Sequence, residues 1–379
     1  MVAFLKNKIR GLRNRLKTFG QSIPGFFKKY LPNQAIKHFA PRLLTQHLQK
    51  KRPRRDKPHF LILHYRYYSQ NKNMGDSIEK FMLDGPLAAS GLATYEVLYY
   101  DTDFAPFPLS DLQFLAKCDQ IQPDAIILSS WWYECPPKLE TLRVLREEWH
   151  IPIVAVWWDT CWKEFWPSVE PVLPLIDLNV VTDNPNLFFI EHNSPYFERF
   201  LPLWVPLDPK IYNHQNADRD LQVCFLGQVD GFRSKRSEYI QYLIDQKVPL
   251  SLSVTTRDKQ PSHTEYVDTL KRSRIGLNFS YSVEKHVVKA RVFETMLCGA
   301  MLMESENDQT TRYFVPMQDY VSFSSKEDLL QKLLYYLQHE DERSAIAARG
   351  EQKARQYYNH ALFWRAVLDK LSQIQATPR

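Results

Sequence analysis

Along the chain, apolar runs alternate with polar, glycine- or proline-marked stretches. The runs at His59–Leu63, Tyr95–Tyr100, Ala125–Leu128, Ile151–Val156 and Ile176–Val181 are short and nearly continuous, as are Leu221–Leu226, Leu250–Thr255 and Ile275–Phe279. Such runs predict strands buried on both faces. Between them, Ile78–Leu87, Leu139–Glu148 and Ser237–Ile244 space their apolar positions as helices do. Strand-to-helix alternation of this kind predicts parallel sheets and an α/β fold. The alternation breaks at Pro202–Pro209 and the polar run Tyr212–Asp220, which reads as a linker. The expected organisation is a Rossmann-like domain over 58–210, a second over 211–360 and a terminal segment over 361–379. The last helices, Glu351–Tyr358 and Phe363–Ile374, are expected to pack back toward the first domain.

Ahead of the first strand the pattern differs. Val2, Leu5, Ile9, Leu12, Leu16 and Phe19 recur every three or four residues, with Lys6, Lys8, Arg10, Arg13, Arg15 and Lys17 between them. On a helix this is an apolar stripe flanked by cations, the pattern of a helix lying in a membrane interface. Charge sharpens the contrast. The formal net charge is +6, yet residues 1–57 hold 16 Lys/Arg against one acid, a net of +15, and the remaining chain holds 33 against 42, a net of −9. A basic arm on an acidic body points to an anionic membrane surface as partner and places the protein in the cytoplasm, peripheral to a membrane's inner face. The alternative is that the stripe packs on the body. No module that reads nucleic acid accompanies the arm, so no nucleic-acid partner is expected.

Five cysteines are scattered without metal-ligand spacing, which predicts a reducing compartment and no metal site. No run approaches the roughly 20 apolar residues of a membrane span. Neither a dinucleotide glycine fingerprint nor a glycine-rich loop with Lys and Ser/Thr is present, which disfavours epimerases and P-loop phosphotransferases.

Ligands of open parallel sheets bind beyond the carboxyl ends of strands. At those ends the first half places His64, then Asn73 and Asp76 in the following loop, and Asp159 after Trp157-Trp158. A carboxylate at Asp159 can bind hydroxyl groups or act as a base, or it can cap the next helix. His64 reads equally as a substrate contact and as a hydrogen-bonded structural residue. In the second half, Gly227 ends a strand and Arg233 follows, a credible phosphate site. Further on come Tyr281, Glu284 and His286, and then a helix through Lys289, Arg291 and Glu294 that Gly299 would end. Cations for a diphosphate and a carboxylate for ribose hydroxyls would sit within about two turns.

The stretch Lys289–Gly299, with Asn278-Phe279-Ser280 before it and Phe314–Phe323, Leu329–Leu337 and Arg343–Gln356 after it, resembles the glycosyltransferase group that includes CgeB-like spore-maturation proteins. The resemblance covers 221–370 well, 59–210 in outline, and leaves out the arm. It implies two facing Rossmann-like domains of GT-B type and transfer of a sugar, a hexose, from a nucleotide-diphosphate sugar, with no tightly bound cofactor; location on a membrane through the basic arm would place the site near a lipid-linked or envelope-glycan acceptor. Glu294 matches the glutamate that binds the donor ribose, Gly299 the glycine closing its helix, and Arg291 the basic residue before it. Many retaining relatives carry a second glutamate eight positions before the first. Here that position is His286, which leaves the stereochemical course open and admits a non-catalytic binding protein as the alternative.

Overall fold

The structure, a computed structural model, describes residues 45–47, 50, 53–68, 72–103, 109–129, 137–158, 160, 169–186, 196–215, 218–229, 234–254, 261–282 and 285–376. The basic stripe of the arm and residues Asp159, Arg233 and Glu284 lie outside them, as does the side chain of Tyr281.

Two compact units are formed. The described parts of the smaller, drawn from 1–53, 104–122 and 136–150, are helical. Its fixed point is Asp111, a fully buried carboxylate that accepts the backbone N–H of Lys138 at 2.7 Å and the Thr141 hydroxyl at 2.8 Å. His47 stacks on Trp149 with ring centres 4.3 Å apart.

The larger unit holds two sheets. The first comprises β1 (His59–His64), β2 (Thr94–Tyr99), β3 (Ala125–Ser129), β4 (Ile153–Trp157), β5 (Leu178–Val181) and β6 (Phe200–Pro202). They are ordered β2-β1-β3-β4-β5-β6, and every pairing is parallel. The second comprises β7 (Leu221–Gly227), β8 (Leu250–Val254), β9 (Ser273–Asn278), β12 (Met301–Ser305) and β13 (Val321–Phe323). Its order is β13-β12-β9-β7-β8, again all parallel. A two-residue ribbon, β10 (Tyr281–Ser282) with β11 (Lys285–His286), stands apart.

Both sheets follow one plan: the first strand lies inside, the second on its outer side, and the third on its other side. Strand order therefore reverses between β1 and β3 and again between β7 and β9. Crevices open at such reversals, at the carboxyl ends of the strands.

Continuous apolar strands are explained by burial on both faces. In β7, Val223 and Phe225 pack with Ile275, Leu277, Met301 and Met303 on one face. Cys224 and Leu226 pack with Val292, Phe293, Met296 and Leu302 on the other. Two successive faces of one strand thus enter two cores, which only a sheet covered on both sides allows. Among the helices are α1 (Gly85–Ser90), α2 (Leu109–Ile121), α3 (Leu139–Arg143) and α4 (Ser234–Asp245). They continue with α5 (His263–Arg272), α6 (Ala290–Leu297), α7 (Lys326–Gln338), α8 (Glu340–Tyr357) and α9 (His360–Ala376).

Three details differ from the sequence reading. The stretch 78–87 is a π-type turn, Lys80–Asp84, followed by the short α1. Residues 351–357 belong to the longer α8, which packs beside α6 and β12 of the second sheet. It is α9 that reaches the first sheet, where Phe363, Trp364, Val367 and Leu371 enter the core with Phe60, Ile62, Val154 and Val180. Tyr212, expected in a polar linker, is 1% exposed and belongs to the core beside α6. Among the described residues no helix is long and apolar enough to cross a membrane.

Candidate functional site

A cleft of about 780 Å³ opens between the loop after β1 and the carboxyl end of β7 with the neighbouring starts of α5 and α6. Its first-sheet side is formed by Tyr68, Gly75, Asp76, Ile78, Phe81 and Met82. On the other side stand Gly227, Arg236, His263, Tyr266, Lys289, Arg291 and Glu294. Pockets that hold small organic ligands have this size and this mixture of apolar walls with few polar groups.

Two helices supply most of the chemistry. Lys289 precedes the first residue of α6, so Arg291 and Glu294, three apart, rise on one face of its first two turns. At the other end the helix stops at Gly299, whose φ of +70° and N–H to Met296 O at 2.8 Å form the expected left-handed terminus. The second helix, α5, is fixed by a reciprocal cap: the Ser262 hydroxyl accepts the Glu265 N–H at 3.2 Å, and Glu265 accepts the Ser262 N–H at 2.8 Å. This cap turns His263 and Tyr266 into the cleft.

Glu294 is 4% exposed, and its carboxylate accepts the hydroxyls of Tyr266 at 2.5 Å and Tyr212 at 3.3 Å. Burial pushes its carboxyl above the usual range, although Tyr266, the Arg291 charge and Tyr212 pull the other way. The Tyr212 hydroxyl also lies 3.0 Å from His263 Nε2. Burial lowers His263 to about 4, so the ring is neutral near pH 7, and because the Tyr212 hydroxyl gives its proton to Glu294, the tautomer that fits is the one whose Nε2–H donates to Tyr212. The same ring stacks on Phe81 from the first-sheet side, with centres 3.4 Å apart and planes 4° from parallel. A connected chain therefore runs Phe81, His263, Tyr212, Glu294.

Arg291 donates from Nη1 to Asn278 Oδ1 at 3.1 Å and from Nε to the Tyr266 hydroxyl at 3.4 Å. Its guanidinium lies against the backbone of Gly227. Arg236, 3% exposed, adds a second guanidinium to the lining and donates to Phe279 O at 2.6 Å. The combination suits a ligand with an anionic part and vicinal hydroxyls: guanidinium and ammonium groups for the former, a carboxylate for the latter. Among the described residues no three metal-ligating side chains come together.

Of the residues singled out in the sequence, Asp76, Gly227, Lys289, Arg291 and Glu294 line this cleft. Three others do not. His64 is fully buried at the end of β1, where Nδ1–H donates to Tyr65 O at 2.7 Å and Nε2 lies 3.1 Å from both carboxylate oxygens of Asp84. With acceptors at both nitrogens it is an imidazolium held in an ion pair, and it has no face for substrate. Asn73 stands exposed in a one-turn 3-10 helix, Lys72–Met74. His286, on the ribbon strand β11, points to Asp308, with Nδ1 2.6 Å from its carboxylate, and it too is outside the lining.

Tyr212, His263, Tyr266 and Phe81 join the site without having been singled out in the sequence. The spacing Ser262-x-x-Glu265 was the available signal for α5, and hence for His263 and Tyr266. No local pattern announces Tyr212, whose role comes from long-range packing.

Residues 231–369 match a family model described as glycosyl transferase-like. No curated protein matches the chain in sequence. Solved structures match its fold. HepE from Anabaena, in complex with UDP and glucose, aligns with a TM-score of 0.56 at 12% identity over 83% of this chain and 100% of that one. Sucrose-phosphate synthase from Thermosynechococcus elongatus aligns at 0.57 with 12% identity, over 84% of this chain and 100% of that one. A glycosyltransferase from Rickettsia africae aligns at 0.56 with 8% identity, over 86% and 100%. Two parallel sheets, each flanked by helices, in a GT-B arrangement are thus common to all of them.

Proposed function

We propose that the chain is a glycosyltransferase of the CgeB-like group that moves a hexose from a nucleotide-diphosphate sugar to a glycan or lipid-linked acceptor. The observation that carries this reading is the placing of Arg291 and Glu294 together beside Gly227, at the carboxyl end of a switch-point strand. Arg291, Lys289 and Arg233 would face the diphosphate, and Glu294 the ribose. The match of 231–369 to the glycosyl transferase-like family supports the reading, as do the UDP and glucose in the HepE complex.

Such a site works by electrostatics and placement. Cations that bind the diphosphate more tightly as it departs lower the barrier to breaking the sugar–phosphate bond. Asp76, on the first-sheet side, would orient the acceptor hydroxyl, and Asp159, which follows β4 in the sequence, would take its proton. A panel of nucleotide sugars in thermal-shift and transfer assays tests the proposal. Stabilisation by one of them and release of its nucleoside diphosphate are expected. No response to any member would overturn it.

One observation favours a non-catalytic binding protein instead. His286 replaces the second glutamate of many retaining relatives, and it engages Asp308 away from the cleft. Tight donor binding without transfer or hydrolysis would select that reading.

Residues 1–57, with a net charge of +15, would hold the enzyme on an anionic membrane from the cytoplasmic side, near its acceptor. Flotation with anionic vesicles should be lost on deleting 1–57 and weakened by salt. Equal flotation of both forms, or none by the full chain, would rule this out.

A further inference from the structure

Beneath the cleft, one strand further into the second sheet, lies a carboxylate with no contact to the cavity. Glu304 on β12 is fully buried, and its register partner on β9 is Asn278. Glu304 Oε2 accepts Asn278 Nδ2–H at 2.7 Å, and Oε1 accepts the backbone N–H of Ser280 at 2.9 Å. Asn278 Nδ2 also donates to Ser280 Oγ at 2.7 Å. The far side of the same amide, Oδ1, accepts Arg291 Nη1–H. Three residues on β12, β9 and α6 thus form one directed chain ending at the guanidinium.

An ionised carboxylate only accepts hydrogen bonds, and a guanidinium only donates. Asn278 stands between the two and can satisfy both in a single orientation, with NH2 toward Glu304 and Oδ1 toward Arg291. Turning the amide over would set acceptor against acceptor on one side and donor against donor on the other. In a buried setting each such mismatch is costly. The carboxylate therefore fixes the amide, and the amide fixes the guanidinium.

We infer that Glu304 is a positioning residue, which through Asn278 holds the Arg291 guanidinium against Gly227 in the place where the donor's diphosphate would bind. The inference rests on the reading of the cleft as a donor site. Other charged or titratable groups facing Glu304 are Arg236 from α4 and Tyr320 from the segment before β13.

The test is a reciprocal exchange in the full chain. In Glu304→Gln the new amide has one donor side, which meets either the Ser280 N–H or the Asn278 NH2 head-on unless Asn278 turns over and confronts Arg291. Adding Asn278→Asp removes the conflict. The introduced glutamine then accepts from the Ser280 N–H and donates to the introduced aspartate, whose other oxygen accepts from Arg291, and the net charge is unchanged. At about pH 8, where Glu304 is ionised, affinity for UDP, GDP and ADP is measured by calorimetry, and the Arg291 guanidinium N–H signal is followed by NMR in the ligand-free proteins. Glu304→Gln and Asn278→Asp alone should each weaken the tightest nucleotide about tenfold, the scale of one lost charge-assisted hydrogen bond. The pair should bind within about threefold of the parent. Unchanged binding by either folded single variant, or no recovery in the pair, would overturn the inference. Should Glu304→Gln fail to fold, the comparison of Asn278→Asp with the pair decides it. Should the parent bind none of the three nucleotides, the donor reading fails, and the Arg291 signal alone judges the positioning. A signal displaced in each single variant and restored in the pair upholds it, and one that never moves overturns it.

Discussion

A Cβ placed on Gly227 would lie 2.9 Å from Arg291 Nη2 and 3.3 Å from its central carbon. The glycine also has φ +135°, a conformation that side chains rarely adopt. Two independent reasons therefore require glycine where β7 gives way to the cleft. Gly227→Ala should lose about 1–3 kcal/mol of stability through backbone strain alone. Because the methyl group displaces the guanidinium, nucleoside diphosphate affinity should fall as well, by more than about tenfold in the fraction that stays folded. Urea titration and calorimetry on one preparation separate the two effects, and unchanged affinity would show that Arg291 does not need this seat.

Glu294 is the carboxylate with the strongest claim to a ligand. Two tyrosine hydroxyls hold its oxygens, so it is aimed before a ligand arrives, which limits the ordering needed on binding. Glu294→Ala should weaken nucleotide binding by about 2–4 kcal/mol if a buried two-point contact to ribose hydroxyls is lost. Calorimetry of the folded variant is the check. Affinity within a factor of about two of the parent would remove Glu294 from the donor site.

Much of this was visible in the sequence wherever a local pattern determined a local outcome. The apolar runs became strands because four or five consecutive buried residues need a sheet covered on both faces, as Val223 to Leu226 are. Arg291, Glu294 and Gly299 were legible because helix spacing and a stop signal lie within one short segment. What escaped was set by distant packing. Tyr212 follows a proline-rich stretch and precedes a polar run, yet 82 residues separate it from the carboxylate it meets. Glu304 sits inside Met301–Ser305, an apolar run whose single acid gives no hint of a partner on the neighbouring strand. His64 was ambiguous because its partner Asp84 lies 20 residues on, past an irregular turn.

That partner gives His64 a structural consequence. Burial by itself would lower the imidazole pKa, but the hydrogen bond and charge of Asp84, the charge of Glu79 and the bond to Tyr65 O outweigh it, and the net shift is upward. A histidine that holds its proton more tightly when folded contributes stability below its unfolded pKa of 6.5, and this is lost as pH rises through the folded value. His64→Ala leaves Asp84 buried without its counter-charge, a loss of about 3–5 kcal/mol. Denaturation below the unfolded pKa of 6.5 should show it, and the difference from the parent should shrink as the pH rises through the folded value. A catalytic histidine would instead leave stability nearly unchanged and abolish turnover.

Glu304 shifts stability in the same direction with pH, but through burial and not through an ion pair. Burial, the largest influence, pushes its carboxyl up to about 7, against the opposing bonds from Ser280 and Asn278 and the charge of Arg236. In the unfolded chain it titrates near 4.5. Between these values the folded protein keeps a proton that the unfolded chain has released. Raising the pH through this window therefore favours unfolding, by up to about 1.4 kcal/mol per pH unit for this one group. Glutamine cannot ionise and does not share the loss. Unfolding free energies of the parent and Glu304→Gln, measured in urea at about pH 5, 6, 7 and 8, should change relative to one another, with the glutamine variant gaining steadily up to about pH 7 and holding level beyond it. At about pH 8 the parent carries the ionised, acceptor-only carboxylate that orients Asn278, so the variant's relative gain in stability should coincide with its defect in nucleotide binding. A difference between the two proteins that stays flat across this range would mean that Glu304 ionises alike in the folded and unfolded chain, and that its burial is relieved by groups other than those facing it here.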